Sequence, residues 1–229
     1  MKAEILDAIL AARKKRNAMA VITDLATGQQ RVVEHAAAVN DELAEALDKG
    51  FRFDKSGVVK TETGEIFIAI HNPPLRLVII GAVHIAQSVI PIAQAAGYDV
   101  TVIDPRGAFA TGARFPGVWL YEDWPQDILP KIGLDARTGF IALTHDPKID
   151  DPALDLALKS EVFYIGALGS QKTQGSRRAR LQAAGFAAAA LTRIHGPIGL
   201  RIGAVGAPEI AISIMAEMTK ALRLGDEEK

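Results

Sequence analysis

From Leu75 onward the chain repeats one pattern four times: a short apolar run closed by Gly or Asp, then a stretch long enough for a helix. The runs are "LRLVIIG", "YDVTVID", "TGFIALTHD" and "EVFYIGALG". A strand with one wet face alternates polar and apolar residues, so near-continuous Val, Ile and Leu mark strands covered on both faces. The intervening "HIAQSVIPIAQAAG", "DPALDLALKS" and "QKTQGSRRARLQAAG" can each cross back over a sheet. Strand and helix alternating in one direction predict a parallel, doubly wound α/β sheet. In such sheets ligands bind beyond the carboxyl ends of the strands, where the strand order reverses. A last helix, "APEIAISIMAEMTKALRLG", repeats Ile210, Ile214, Met218 and Leu222 every four residues, starts at Pro208 and ends at Gly225. That spacing predicts a core-facing stripe.

The first 71 residues read differently. Ile5, Leu6, Ile9 and Leu10 share a helical face, and Arg13, Lys14, Lys15 and Arg16 close that helix, where cations suit its negative end. "AMAVITDLATGQQRVVEH" alternates around a Thr-Gly turn and predicts a hairpin. Asn40 is a predicted cap for the helix "DELAEALDKG", with Gly50 at its end, and a second hairpin is predicted to turn at Thr63-Gly64. The paired prolines of "HNPP", residues 71 to 74, continue neither ladder nor helix. The expected organisation is a small α+β domain with β-hairpins over 1–71 and a doubly wound, parallel α/β domain over 72–229.

Composition removes several functions. With 26 basic and 27 acidic residues the net charge is −1, which lacks the cationic surplus a nucleic-acid binder needs. There is no cysteine, so disulfides, thiolate metal sites and a cysteine nucleophile are excluded. The basic run of the first helix follows its apolar residues, the reverse of a signal peptide, and no apolar run approaches the ~20 residues that span a bilayer. A cytoplasmic protein without membrane contact is expected.

The residues after each strand carry the candidate chemistry. Gly81-Ala82-Val83-His84-Ile85-Ala86 keeps the first glycine and closing alanine of a dinucleotide fingerprint but has Val83 in place of the middle glycine. A branched side chain there occupies pyrophosphate space, which weakens ordinary NAD(P) binding. The helix start after Gly81 still offers N–H groups to an anion, and His84 reads equally as a ligand contact or as a surface histidine. Asp104 stands where such folds place a ribose-binding acid, and equally where Asp opens a "DPRG" turn; Arg106 and Arg114 follow, suited to phosphate or carboxylate. His145 and Asp146 end the third strand as ligand contacts rather than a dyad, since adjacent residues of an extended chain face opposite ways.

Gly166, Gly169 and Ser170 predict a second anion-receptive turn, with Lys172, Arg177, Arg178 and Arg180 on the following helix partly solvated. The glycine-rich segment from His195 to Pro208 must bring backbone close to something, and Glu209 suits the positive end of the last helix.

The segments "NPPLRLVIIGAVHIAQ", "VTVIDPR", "ALTHD", "YIGALGSQKT" and "RIHGPIGLRIGAVGAPEIAISIMAEM" resemble, in order and spacing, the XdhC/CoxF family of xanthine dehydrogenase accessory proteins. The resemblance covers residues 72 to 219. It implies a Rossmann-like C-terminal domain and a non-catalytic maturation chaperone that binds the molybdenum cofactor and delivers it to a molybdenum hydroxylase apoenzyme, with a cysteine desulfurase as a possible second partner. Apart from the resemblance, the N-terminal hairpins suit a homodimer without compelling one. The resemblance places Gly81, His84, Asp104, His145, Asp146, Gly166, Gly169, Ser170, His195 and Glu209 on motif positions, and with Arg106 all of these but Glu209 form the candidate cofactor-binding set. The family turn reads Gly-Ala-Gly-His, from which Val83 departs, and longer members carry a glycine-rich, cysteine-containing N-terminal segment that this sequence lacks. The other readings are an NAD(P)-dependent oxidoreductase and a scaffold whose nucleotide site has decayed.

Overall fold

A computed structural model describes residues 2–62 and 64–225. The chain divides into two compact units, Met1–Pro73 and Pro74–Lys229.

The first unit is a four-stranded antiparallel sheet with helices. Helix α1 (Ala3–Lys14) leads into the hairpin β1 (Met19–Asp24) and β2 (Gln30–Glu34), then a 3-10 turn over His35–Asn40 and helix α2 (Ala44–Phe53), then β3 (Gly57–Thr61) and β4 (Gly64–His71). The strand order is β2-β1-β4-β3. Ala20, Ile22, Val33, Leu47, Phe51 and Ile68 form its core. The helix expected to run from an Asn40 cap to Gly50 is displaced along the chain. Asn40 ends the 3-10 turn, the Asp41 side chain accepts from the Leu43 N–H at 3.0 Å, and Gly50 lies inside α2, which stops only at left-handed Asp54. Gly50 does not break the helix because it packs on the sheet: a Cβ there would lie 2.8 Å from Ile70 Cδ1. Of the turn expected at Thr63-Gly64, Thr63 lies outside the described residues.

The second unit is the expected parallel sheet. In chain order its elements are β5 (Arg76–Ile80), α3 (His84–Ala95), β6 (Asp99–Ile103), β7 (Trp119–Tyr121), α4 (Pro125–Ile132), β8 (Thr138–Ala142), α5 (Pro147–Leu158), β9 (Tyr164–Ala167), α6 (Gln171–Ala183), α7 (Ala188–Leu191), β10 (Ile194–His195) and α8 (Ala207–Leu224). The order is β10-β9-β8-β5-β6-β7, with every pairing parallel. Helices α3 and α8 cover one face through Val89, Ile90, Ile214 and Met218. Helices α4, α5 and α6 cover the other through Ile128, Leu129, Leu154 and Leu181. Strands β5, β8 and β9 are therefore buried on both sides, which is why their runs carry no alternation, whereas β6 sets exposed Asp99 and half-buried Thr101 beside buried Val100 and Val102. The chain passes from β5 outward to β6 and β7, then returns to β8 on the other side of β5. The order thus reverses between β5 and β8, and the crevice rule directs attention to the turns that follow those two strands.

Candidate functional site

The turn after β5 is shaped by one glycine. Gly81 has φ +112°, in the region that favours glycine, and a Cβ there would lie 2.8 Å from Thr144 Cγ2, in the turn after β8. The two turns of the switch point are therefore packed against each other. Val83 is the N-cap of α3 with extended backbone (φ −93°, ψ 171°), and its side chain packs against the core under α3 and α8. Its conformation demands no glycine, which accounts for a β-branched residue at that position. It supplies no side-chain cap, and while Ala86 N–H donates to Val83 O at 3.1 Å, the His84 and Ile85 N–H groups are left to solvent or ligand, with the His84 side chain exposed in that same turn. By contrast α5 and α6 are capped by Asp146, which accepts from Lys148 N–H, and by Ser170, which accepts from Thr173 N–H.

Asp104 has no exposed surface. Its carboxylate accepts from the Ala82 N–H at 2.8 Å, the Arg106 N–H at 3.0 Å, and Arg106 Nε and Nη2 at 2.9 and 2.8 Å. Burial alone raises the Asp104 pKa, but the Arg106 guanidinium and the two backbone donors outweigh it and hold it below the usual carboxylate value. The ribose contact expected at this position is therefore not offered in this arrangement: the carboxylate is spent fixing the Gly81 turn. The exposed group is its partner. Arg106 keeps a third of its side-chain surface open, stacks over Phe109 at 4.8 Å, and feels the charges of Asp146 and Asp150 across the crevice. Arg114, by contrast, is engaged by Phe109 O at 2.6 Å and by Gln87 of α3 at 3.3 Å.

The turn after β8 holds an exposed His145 at φ +62°, a left-handed conformation that costs a non-glycine residue on the order of 1–3 kcal/mol. Asp150, 1% exposed, offsets that cost. Its carboxylate accepts from the Thr144 hydroxyl at 2.6 Å and from the N–H groups of Thr144 and His145 at 3.3 and 3.1 Å. Beneath it lies Arg177, 2% exposed, with Nη2 at 3.4 Å from Asp150. Arg177 also donates to Gln174 at 2.6 Å and to Leu168 O at 3.2 Å, while Gln174 donates to Ala167 O at 2.9 Å. Burial pushes the Asp150 pKa up and that of Arg177 down, as for any ion pair taken out of water. This buried chain ties the turn after β8 to the turn after β9.

The remaining candidates separate into two places. Gly169 (φ +132°) and Ser170 lie in the turn after β9, beside that buried chain. Gly166 is not part of an exposed turn. It sits inside β9, fully covered, and a Cβ there would lie 2.7 Å from Ile198 Cγ1. The glycine admits the loop after β10, whose Ile198 N–H donates to Ala167 O at 3.2 Å. His195, opposite Gly166 in the ladder, is drawn to the face under α8. Its Nδ1 lies 3.3 Å from Glu217 Oε1 and its ring 4.7 Å from Tyr164. Glu217 also accepts from Tyr164 Oη at 2.6 Å and from Gly199 N–H at 2.8 Å. His195 thus anchors the glycine-rich loop through Glu217 and borders a separate cavity of about 210 Å³, lined also by Val162, Arg193, Ala221 and Gly225. Glu209 accepts from Val205 N–H at 2.6 Å, in keeping with a helix-start role.

Residues 77–218, more than half of the chain, match the family model of the XdhC Rossmann domain. The chain belongs to the XdhC family. Among XdhC-related proteins, it is 29% identical over 207 residues to the molybdenum cofactor insertion chaperone PaoD of Escherichia coli, covering 86% of this chain and 58% of that one. It is 30% identical over 161 residues to a Bacillus subtilis protein described as a probable xanthine dehydrogenase subunit, covering 69% and 46%. It spans about half the length of these curated relatives. A crystal structure described as a xanthine dehydrogenase from Bacillus halodurans shares the fold (TM-score 0.67, 24% identity), covering 96% of this chain and 67% of that one.

Within this XdhC domain, two residues that organise the site, Asp150 and Gln174, are hidden from sequence reasoning, as is Glu217, which anchors the separate loop after β10. Asp150 sits in a stretch of three acids, "KIDDPALD", with nothing local to distinguish it. Its partner Arg177 lies 27 positions on, in a basic run that reads as solvated. The one available signal is the helical phase of Gln174 and Arg177, three apart and both inward.

Proposed function

We propose that this chain is an accessory protein for a molybdenum hydroxylase of the xanthine dehydrogenase type, one that holds the molybdenum cofactor and hands it on. The observation that carries this reading is the uncapped start of α3 at the switch point between β5 and β8, with the open edge of Arg106 beside it. Free helix N–H groups and a guanidinium together form a phosphate receptor. The names of two relatives, an insertion chaperone for that cofactor and a xanthine dehydrogenase subunit, support the same assignment.

The residues fit the phosphate-bearing pterin end of the group. His84 and the α3 N–H groups would meet the phosphate, Arg106 would pair with it, and His145 would face the pterin. Gly169, Ser170 and Asp146 would border the site, while Asp104 and Gly166 would shape it from below. They supply no thiolate, and no cluster of three metal-ligating side chains occurs among the described residues, so protein contacts here address the organic part of the group. When bound, the group carries the redox chemistry of the enzyme that receives it. What this chain's own residues do is bind, orient and shield.

The decisive measurement is molybdenum and pterin content after purification from cells that make the cofactor. Stoichiometric content that falls at least tenfold in Arg106→Ala is the expected result. A chain that is empty and also ignores added cofactor overturns it. The NAD(P)-dependent oxidoreductase reading loses support because the acid at the ribose position is fully covered. No rise in Tm is expected with millimolar NAD or NADP, since a ligand raises stability with the logarithm of its concentration over Kd. A dinucleotide response gained by Val83→Gly would instead identify a decayed site.

A further inference from the structure

The first unit carries a groove that the proposed function does not use. Helix α2 sits close on the sheet at Gly50, over β4, and leaves the inner side of β3 partly uncovered. Because β3 is the last strand of its sheet, half of its backbone N–H and C=O groups have no strand partner. The trough between α2 and β3 encloses about 560 Å³ and is floored by Ala46, Phe53, Val59 and Ile68. Phe53 and Val58 are 48% and 54% exposed.

The trough has a direction. Beside Gly57 at the start of β3 its lining carries Lys49 and Lys55 and no carboxylate. Lys49 is shared with Glu45 at 2.7 Å, whereas Lys55 has no acidic partner among the described residues. The trough continues past Ala46 and Val59 to the largely exposed Glu42 and Glu45, beside the start of α2, where Glu42 lies 3.3 Å from Arg31 and Glu45 shares Lys49. The unshared charge of Lys55 therefore marks one end and the exposed carboxylates of Glu42 and Glu45 the other, with an apolar floor between them and a free strand edge along one wall.

We propose that this trough is a docking site for an extended segment of a partner protein, added antiparallel to β3. The antiparallel sense follows from the charges: β3 leaves the lysine end and heads toward the acidic end, so a segment running the other way brings its C-terminal side to Lys55. The segment has a Lys or Arg at its N-terminal side, alternating apolar residues facing the floor, and a Glu, Asp or free carboxylate at its C-terminal side. Backbone pairing supplies the affinity and the alternate side chains the selectivity.

The test uses the full chain and a fluorescein-labelled peptide, Lys-Val-Thr-Val-Thr-Val-Glu, against the same residues in reverse order. Fluorescence anisotropy should show saturable binding of the forward peptide at least tenfold tighter than the reversed one. Lys55→Glu should erase that preference. Gly57→Leu adds a side chain where a Cβ meets nothing within 4 Å, so it fills the trough without disturbing the fold and should weaken binding at least tenfold. N-methylation of alternate peptide amides should do the same. Circular dichroism of both variants checks their fold. Absent binding at millimolar peptide, equal binding of both orders, or indifference to Gly57→Leu overturns the proposal. So does a sedimentation result in which β3 edges of two copies pair and exclude the peptide.

Discussion

Two residues fix the candidate site without facing a ligand. Asp150 neutralises Arg177 and holds His145 in its left-handed conformation, so its loss leaves a buried guanidinium without its counter-charge and a turn without its anchor. Breaking such a buried pair from one side costs about 3–5 kcal/mol. Asp150→Ala is expected to lower stability by that order in urea unfolding, and cofactor content should fall with it. Asp104, by comparison, stands out in the sequence as a residue at a ligand-binding position. What the sequence does not show is that Arg106, two residues on, folds back and covers it. A side chain's direction depends on the φ/ψ of its own turn, which motif spacing does not encode.

Glu217 gives a pH test at the same scale. Burial pushes its pKa up, but the hydrogen bonds from His195, Tyr164 and Gly199 together bring it below 4.5. A carboxyl depressed on folding adds stability that is present above its unfolded value and lost as pH falls through its folded value. Tyr164 has the opposite sign. Burial and then the Glu217 charge raise its pKa well above 10.0, so its contribution is present below that pH and lost as the pH climbs past it. Urea midpoints measured from pH 3 to 6 should drop on the acid side in the parent chain and flatten in Glu217→Gln.

Among elements, legibility follows burial. Strands β5, β8 and β9 can be read because each is covered on both faces, leaving a continuous apolar run, and β6 because its β-branched residues end at Asp104. Strands β7 and β10 cannot, since three and two residues carry no periodicity. Helix α2 departs from its sequence signals because Gly50 reads as a stop where it serves as a contact. The same device recurs on β8: a Cβ on Gly139 would lie 2.7 Å from Met218 Sδ, so the glycine sets how closely α8 approaches the sheet. Gly139→Ala is expected to cost about 1–3 kcal/mol by overpacking. Combined with Met218→Ala, the double variant should lose less than the sum of the two single losses, because the cavity made by one receives the methyl of the other. Additive losses would show that α8 does not rest on this contact.

At the scale of the whole molecule, each unit has its own core. Leu47, fully covered in the first unit, belongs to a cluster that includes no residue of the second. Leu47→Ala is expected to remove about 2–5 kcal/mol from that unit. Hydrogen exchange of the β5 and β8 amides should stay unchanged if the two units unfold independently. Faster exchange there would mean that they unfold as one.

The two sheets also end differently. The six-stranded sheet closes with β10 and β7, strands of two and three residues, too short to template another chain. The four-stranded sheet ends in β2 and β3, five residues each, with Arg31, Glu34 and Lys60 as the charged residues along those edges. Any backbone-driven self-association during expression or concentrated storage is therefore expected at the edges of the first unit. Solubility can be tuned there, by a charge or a proline on an edge strand, with no change to the crevice of the Rossmann domain.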